Sequence, residues 1–104
     1  MKLLTKANLD ALPPLYSQDG KGADATAYVK FFGGGRWTWL ATEYDGDDTF
    51  FGYVISGLGA VCDEFGYFSR SELEALRFPP FGLAIERDLH FTPCTVRDYL
   101  GGNR

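Results

Sequence analysis

The fold is decided by the stretch from residue 25 to residue 44, which reads ATAYVKFFGGGRWTWLATEY. From Ala25 to Phe32 it is rich in β-branched and aromatic residues, and its side chains alternate with the period of two that a pleated strand requires. Three glycines at 33–35 stop this run, and the same period resumes from Arg36 to Tyr44. Because two such runs joined by a short glycine-rich turn form a hairpin, the sequence predicts an antiparallel pair at the centre of the fold.

Turn and strand signals extend this hairpin into a sheet. Asp45-Gly46 begins the next turn, because an Asp-Gly pair supports positive φ without steric cost. A third strand is predicted at 49–56 and a fourth at 60–68, bent or interrupted by Gly66. Alternation at 84–91 predicts a fifth strand.

The first short helix is predicted before the hairpin. Thr5 is suited to cap a helix that follows it, and Pro13-Pro14 prevents the helix from continuing. Its expected inward side chains are Leu4, Leu9 and Leu12.

The second short helix is predicted after the fourth strand. Ser69 and Glu72 match a capping box for a helix that runs to about Arg77, and Ser71 with Glu74 offers a competing register. One more helical turn fits 95–100. These elements predict a single compact α+β domain over residues 1–104, an antiparallel sheet of about four to five strands with two short helices.

Composition and charge exclude several functional classes. The chain has 104 residues and a formal net charge of -4, so its field repels phosphate backbones and anionic membrane surfaces. No apolar run approaches the roughly 20 residues of a membrane span, and no secretory signal forms at the start. We therefore expect a cytoplasmic protein that contacts neither nucleic acid nor membrane directly. We also expect it to be a monomer.

Cysteine and histidine usage argues against metal or catalytic chemistry. Cys62 and Cys94 are 32 residues apart, without a Cys-x-x-Cys pair or a second His, so zinc lacks its usual ligands. Both cysteines are expected to be buried as small apolar side chains. His90 is the only imidazole, and nothing in its spacing to Cys94 requires a hydrolase, although that alternative stays open. No cofactor and no catalytic residue are predicted.

The most informative feature is a segregation of charge. Residues 37–69 contain six acidic residues and no Lys or Arg. We expect these acids to form a partner-binding surface, the first four being the primary candidates: Glu43, Asp45, Asp47, Asp48, Asp63 and Glu64. The alternative is a solvated loop that only keeps the protein soluble. A calcium loop is disfavoured, because its sixth position would be Phe50 where an EF-hand needs Gly.

Aromatic residues along the predicted strands allow a second interpretation. Most are explained by burial on one or both faces of the sheet, but a stripe of them could also stack on single-stranded bases. The stripe contains Phe31, Phe32, Trp37, Trp39, Phe50, Phe51 and Tyr53. Direct binding of single-stranded nucleic acid is therefore an alternative, which the net charge disfavours.

Four stretches of the chain carry a resemblance to a known family. They read VKFF from residue 29, WTW from residue 37, ATEYDGDDTFFG from residue 41 and FGYFSRSELE from residue 65. With them the chain resembles an uncharacterised family of short proteins carried on plasmids, phages and other mobile elements. The resemblance implies a role in countering host defence, including anti-CRISPR activity, and it supplies no reaction, cofactor or catalytic residue.

Charge and resemblance together favour a non-enzymatic inhibitor, and the resemblance implies that it acts in a bacterial host cell. Its acidic surface would mimic DNA and occupy the basic, nucleic-acid-binding groove of a host protein, such as a CRISPR effector complex. The remaining alternatives are an accessory protein that binds single-stranded nucleic acid and an inert structural module.

Overall fold

A five-stranded antiparallel sheet forms the centre of the protein. The structure is a computed structural model, which describes residues 3–57, 59 and 62–102. The sheet strands are β2 (Val29–Gly33), β3 (Trp37–Tyr44), β4 (Thr49–Ile55), β5 (Glu64–Ser69) and β8 (Glu86–Arg87). Their order across the sheet is β5-β4-β3-β2-β8. The outer pairs are β1 (Thr26–Ala27) with β9 (Cys94–Thr95), and β6 (Arg77–Phe78) with β7 (Leu83–Ala84). The predicted α+β class is confirmed.

The central hairpin is the one that the glycine turn predicts. Val29 pairs with Ala41 and Gly33 with Trp37, and Gly34 turns the chain with a φ of 65°. The first strand is shorter than expected because it breaks at Tyr28, whose amide donates to the Ala41 carbonyl while β1 pairs elsewhere.

The strands β3 and β4 approach each other unusually closely. Gly52 lies opposite Ala41, and a Cβ at Gly52 would collide with the Leu40 carbonyl oxygen. The register then shifts between Ala41 and Glu43, which marks a β-bulge. On the other side, Gly52 pairs with Gly66, so β5 passes through Gly66 without interruption. The start of the predicted fourth strand, residues 60 and 61, lies outside the described residues.

Each helix begins at a hydroxyl that caps it. The helices are α1 (Lys6–Ala11), α2 (Arg70–Ala75) and α3 (Val96–Leu100), with a 3-10 turn at Gly22–Asp24. The side chains of Thr5, Ser69 and Thr95 each accept a hydrogen bond from the amide three residues later. The Ser69 register is therefore the correct one for α2, which ends at Ala75 and not at the expected Arg77.

One face of the sheet carries the main core. Leu4 and Leu12, which flank α1, and Leu73 of α2 pack there against the strands, so both helices cover the same face. The sheet contributes mainly Val29, Phe31, Trp39, Ala41, Tyr44, Phe50 and Phe68. Leu9 was expected to face inward, but it is 37% exposed.

The last third of the chain departs most from the prediction. The expected strand at 84–91 is divided into β7, which pairs with β6, and β8, which joins the sheet edge. After β8 the Asp88 carboxylate accepts a hydrogen bond from the amide of His90 at 2.9 Å. This Asx turn ends the strand, because the carboxylate replaces a ladder partner.

Among the described residues, no helix has the length and apolar character needed to cross a membrane.

Candidate functional site

The turn between β3 and β4 places three of the six acids at one end of the sheet. The Asp45 carboxylate accepts hydrogen bonds from the amides of Asp47, Asp48 and Thr49 at 2.8, 2.9 and 3.1 Å. These bonds lower the pKa of Asp45 below its ordinary value, and the bond from the Asp47 amide contributes most. Asp45 is therefore a fixed, exposed anion.

Asp48 joins this turn to α2. Its carboxylate accepts hydrogen bonds from the hydroxyls of Ser69 and Ser71 at 2.6 and 2.8 Å and from the Ser71 amide at 2.9 Å. The two hydroxyl bonds are the main reason that the pKa of Asp48 is lowered. Its own carbonyl accepts from the Arg70 amide at 2.7 Å. The turn and the start of α2 consequently form one unit.

An acid from α2 extends the cluster. Glu72 lies exposed in the first turn of this helix, three residues after its cap. We name the acidic end the set Asp45, Asp47, Asp48 and Glu72. Sequence reasoning placed Glu72 in a capping box only. Its position near the turn follows from the bonds that join Asp48 to Ser69 and Ser71, which are more than 20 residues away along the chain.

Arg70 is a cation beside this acidic end. Its guanidinium lies 3.4 Å from the Glu74 carboxylate and 3.5 Å from the Tyr44 hydroxyl, and its charge contributes to the lowered pKa of Asp48. No ion pair among the described residues includes a carboxylate of the acidic end. The four acids therefore keep their negative charge largely uncompensated.

Glu43 does not belong to this surface. Its side chain is buried, with 4% of its area exposed, and its two oxygens accept hydrogen bonds from the amides of Tyr16 and Gln18, both at 2.8 Å. Gln18 in turn bonds the backbone of Thr26 and Thr42. The expectation that Glu43 contacts a partner is corrected, because its carboxylate anchors the loop before β1 to the sheet.

The remaining two acids lie at the opposite end of β5. Ser69 pairs with Thr49 beside the acidic end, whereas Glu64 pairs with Val54, five residue pairs further along, a separation of about 17 Å. Asp63 accepts from the Ser56 amide at 2.9 Å. The six predicted acids therefore occupy three places in the fold and not one surface.

A second candidate site is a cleft beside β8. Two adjoining depressions of about 360 and 390 Å³ share Lys30, Asp88 and His90 in their walls. The Lys30 ammonium lies 3.5 Å from the Asp88 carboxylate and 5.2 Å above the ring centre of Tyr99. Cys94 lines the same cleft as His90. The sequence offers His90 and Cys94 as candidates, but nothing in it indicates that Lys30 and Tyr99 lie beside them, because only the fold brings β2 and α3 together.

The cysteines differ from the expectation. Cys62 is exposed and Cys94 is partly exposed, so neither is a buried apolar side chain. Within the described ranges, no group of three His, Cys, Asp or Glu side chains could hold a metal ion.

The aromatic stripe is divided between the two faces of the sheet. Phe31, Trp39 and Phe50 are buried in the core and cannot stack on bases. Phe51 lies on the other face, where its ring contacts Phe65 and Tyr67 at centroid distances of 5.9 and 5.1 Å. Only part of the predicted stripe is accessible to a ligand.

Comparison with known proteins identifies the family of the chain. No curated protein and no solved structure matches the chain. A family model described as "Protein of unknown function (DUF2958)" matches residues 3–100. That span contains the acidic end, the buried Glu43 and the cleft beside β8. The chain belongs to this family of unknown function, DUF2958.

Proposed function

We propose that the protein is a non-enzymatic inhibitor that binds a nucleic-acid-handling protein of a host cell through the acidic end. Its carboxylates would occupy positions where the target expects phosphates. The resemblance to proteins of plasmids and phages supports an anti-defence role of the anti-CRISPR kind. The proposal is narrower than the six-acid surface, because Glu43 is buried and Asp63 and Glu64 lie at the far end of β5.

One observation carries this proposal. Asp45 and Asp48 are held by hydrogen bonds that lower their pKa values, so both stay ionised and oriented before a partner arrives. A fixed pattern of charge complementary to a basic groove raises the association rate and sets the binding register. Because these side chains are already held in place, they lose little conformational entropy on binding, which favours affinity.

The acids differ in their suitability for mutation. Neutralising Asp45 or Asp48 would also remove bonds that hold the turn and α2. The carboxylates of Asp47 and Glu72 accept no hydrogen bond among the described residues, and both side chains are exposed. Asp47→Asn with Glu72→Gln therefore changes charge without a change in structure.

The test is capture of a partner from a bacterium with an active CRISPR system. We expect the tagged protein to retain a nucleic-acid-binding complex that DNA displaces, and the double variant to lose most of it. The matched control Asp19→Asn with Asp98→Asn removes the same charge from exposed sites elsewhere and should bind normally. Equal binding by both variants would reject the acidic end as the contact. Binding of a single-stranded oligonucleotide by the purified protein would favour the aromatic alternative.

A second candidate function rests on the cleft beside β8. His90, Asp88 and Cys94 line one depression, the arrangement of side chains from which acid-base or nucleophilic chemistry is built. If the cleft is a hydrolase site, His90→Ala abolishes an activity and leaves the folded spectrum unchanged. If the His90→Ala variant still inhibits the captured complex as strongly as the wild type, inhibition does not depend on the cleft. The inhibitor and hydrolase functions would then be separate.

A further inference from the structure

The strand β5 forms an edge of the sheet. It pairs with β4 on one side, and no strand of the described chain pairs with its other side. Tyr67 in its middle is 57% exposed. Natural sheets protect such edges with charges, prolines or bulges, because unpaired strand edges bind other strands. Between Glu64 and Arg70 this strand contains none of these devices.

The hydrogen-bond pattern shows which backbone groups point outward. Opposed residues of an antiparallel pair alternate between exchanging two hydrogen bonds and exchanging none. The Arg70 amide donates to the Asp48 carbonyl, so the pairs at Phe68, Gly66 and Glu64 also bond to β4. The amides and carbonyls of Phe65 and Tyr67 consequently point to the open edge.

Aromatic side chains accompany these groups. Phe65 and Tyr67 lie on the sheet face opposite the main core, and Phe65 packs edge-on against Tyr53 at 4.9 Å. The Tyr16 side chain, 63% exposed, lies close to that of Tyr67 and adds to the same patch. A strand added at this edge would therefore bury apolar area as well as complete a ladder.

We propose that this edge is a self-association surface, on which β5 of a second copy of this chain pairs antiparallel, centred on Tyr67. In that register the outward groups of Tyr67 face those of Tyr67 in the second copy. Glu64 of each copy then lies opposite Arg70 of the other, so an acid meets a base at both ends. Each Ser69 amide also reaches the Phe65 carbonyl of the other copy.

Charge complementarity selects a second copy over a foreign peptide. The strand begins with the acid Glu64 and is followed directly by the base Arg70. Two copies therefore match acid to base only when their strands run antiparallel. An extended peptide would need the same sequence of charges to match both ends. The proposal departs from the monomer expected from the sequence.

Self-association is tested on the full chain by sedimentation velocity at concentrations up to about 1 mM. We expect the mass to rise from 11.6 kDa toward twice that value. Hydrogen exchange at the Phe65 and Tyr67 amides should slow as the dimer forms, while exchange in β3 stays constant. A monomer over the whole range overturns the proposal.

Tyr67→Lys places a charge in the middle of the edge and should abolish the dimer. The control Phe81→Lys makes the same change at an exposed aromatic residue between β6 and β7, and it should dimerise normally. A dimer that tolerates Tyr67→Lys overturns the proposal.

Charge reversal tests the register. Glu64→Arg alone and Arg70→Glu alone should each raise the dissociation constant about tenfold, and the double variant should restore it to within about threefold. Arg70 also contacts Tyr44 and Glu74, so circular dichroism checks its fold, whereas Glu64 has no such contact among the described residues. A double variant as weak as the single variants overturns the register centred on Tyr67.

Discussion

Glu43 and Asp45 lie two residues apart at the end of β3, yet their carboxylates have different roles. Both accept hydrogen bonds from backbone amides. The donors to Glu43 are 27 and 25 residues distant in sequence, whereas those to Asp45 are two to four residues away. The first carboxylate therefore joins separate segments in the interior, and the second shapes a local turn that stays exposed. In this protein, the carboxylate that is bonded to amides distant in sequence is buried, and the carboxylate that is bonded to local amides stays exposed to a partner.

The largest effect is expected at the buried acid. Glu43→Ala leaves the amides of Tyr16 and Gln18 without acceptors and should lower the free energy of unfolding by about 3 kcal/mol. Urea denaturation measures this loss. Glu43→Gln keeps one acceptor oxygen and should lose less. An alanine variant within about 1 kcal/mol of the wild type would contradict the anchoring role.

A smaller effect is expected where the turn meets α2. Asp48→Ala removes three hydrogen bonds to Ser69 and Ser71, so α2 should open more often while the sheet stays intact. Hydrogen exchange should accelerate at residues 70–75 and not in β3. Asp47→Ala is the matched control, since its side chain holds no bond among the described residues. Equal exchange in the two variants would show that Asp48 does not support the helix.

Local sequence signals predicted the local structure well. The hairpin of β2 and β3 and the caps at Thr5 and Ser69 all rest on contacts within a few residues. The short strand pairs β1 with β9 and β6 with β7 were not predicted, because a strand of two residues is too short to show an alternation of apolar and polar side chains. The strand expected at 84–91 was too long because the Asx turn at Asp88 was not recognised.

The candidate site was less predictable than the fold. The six acids share a segment of sequence, but a bulge and a change of chain direction separate them in space. The burial of Glu43 depends on a loop that begins before the hairpin, and no signal in β3 reveals it. Glu72 joins the acidic end only because Asp48 binds the serines beside it.

The smallest effect is expected in the pH dependence of stability. It concerns the turn that holds Asp45 and Asp48, and not the buried Glu43. The pKa values of Asp45 and Asp48 are lowered in the folded protein, so the stability that their ionised forms contribute is complete above the unfolded value of about 3.9. It is lost as the pH falls through the lower, folded values. Asp45→Asn with Asp48→Asn should therefore melt below the wild type at neutral pH, and the gap should narrow below about pH 4.

Thermal melting at several pH values measures this gap, and Asp47→Asn serves as the control that should show none. Carboxyl chemical shifts provide a second measurement, in which Asp45 and Asp48 should titrate below the ordinary aspartate value of about 3.9. The difference in melting temperature between the double variant and the wild type could instead stay constant below about pH 4. That result would mean that the ionised carboxylates do not hold the turn. In that case the acidic end would lose the fixed charge on which its proposed binding depends, whereas the anchoring role of Glu43 would be unaffected.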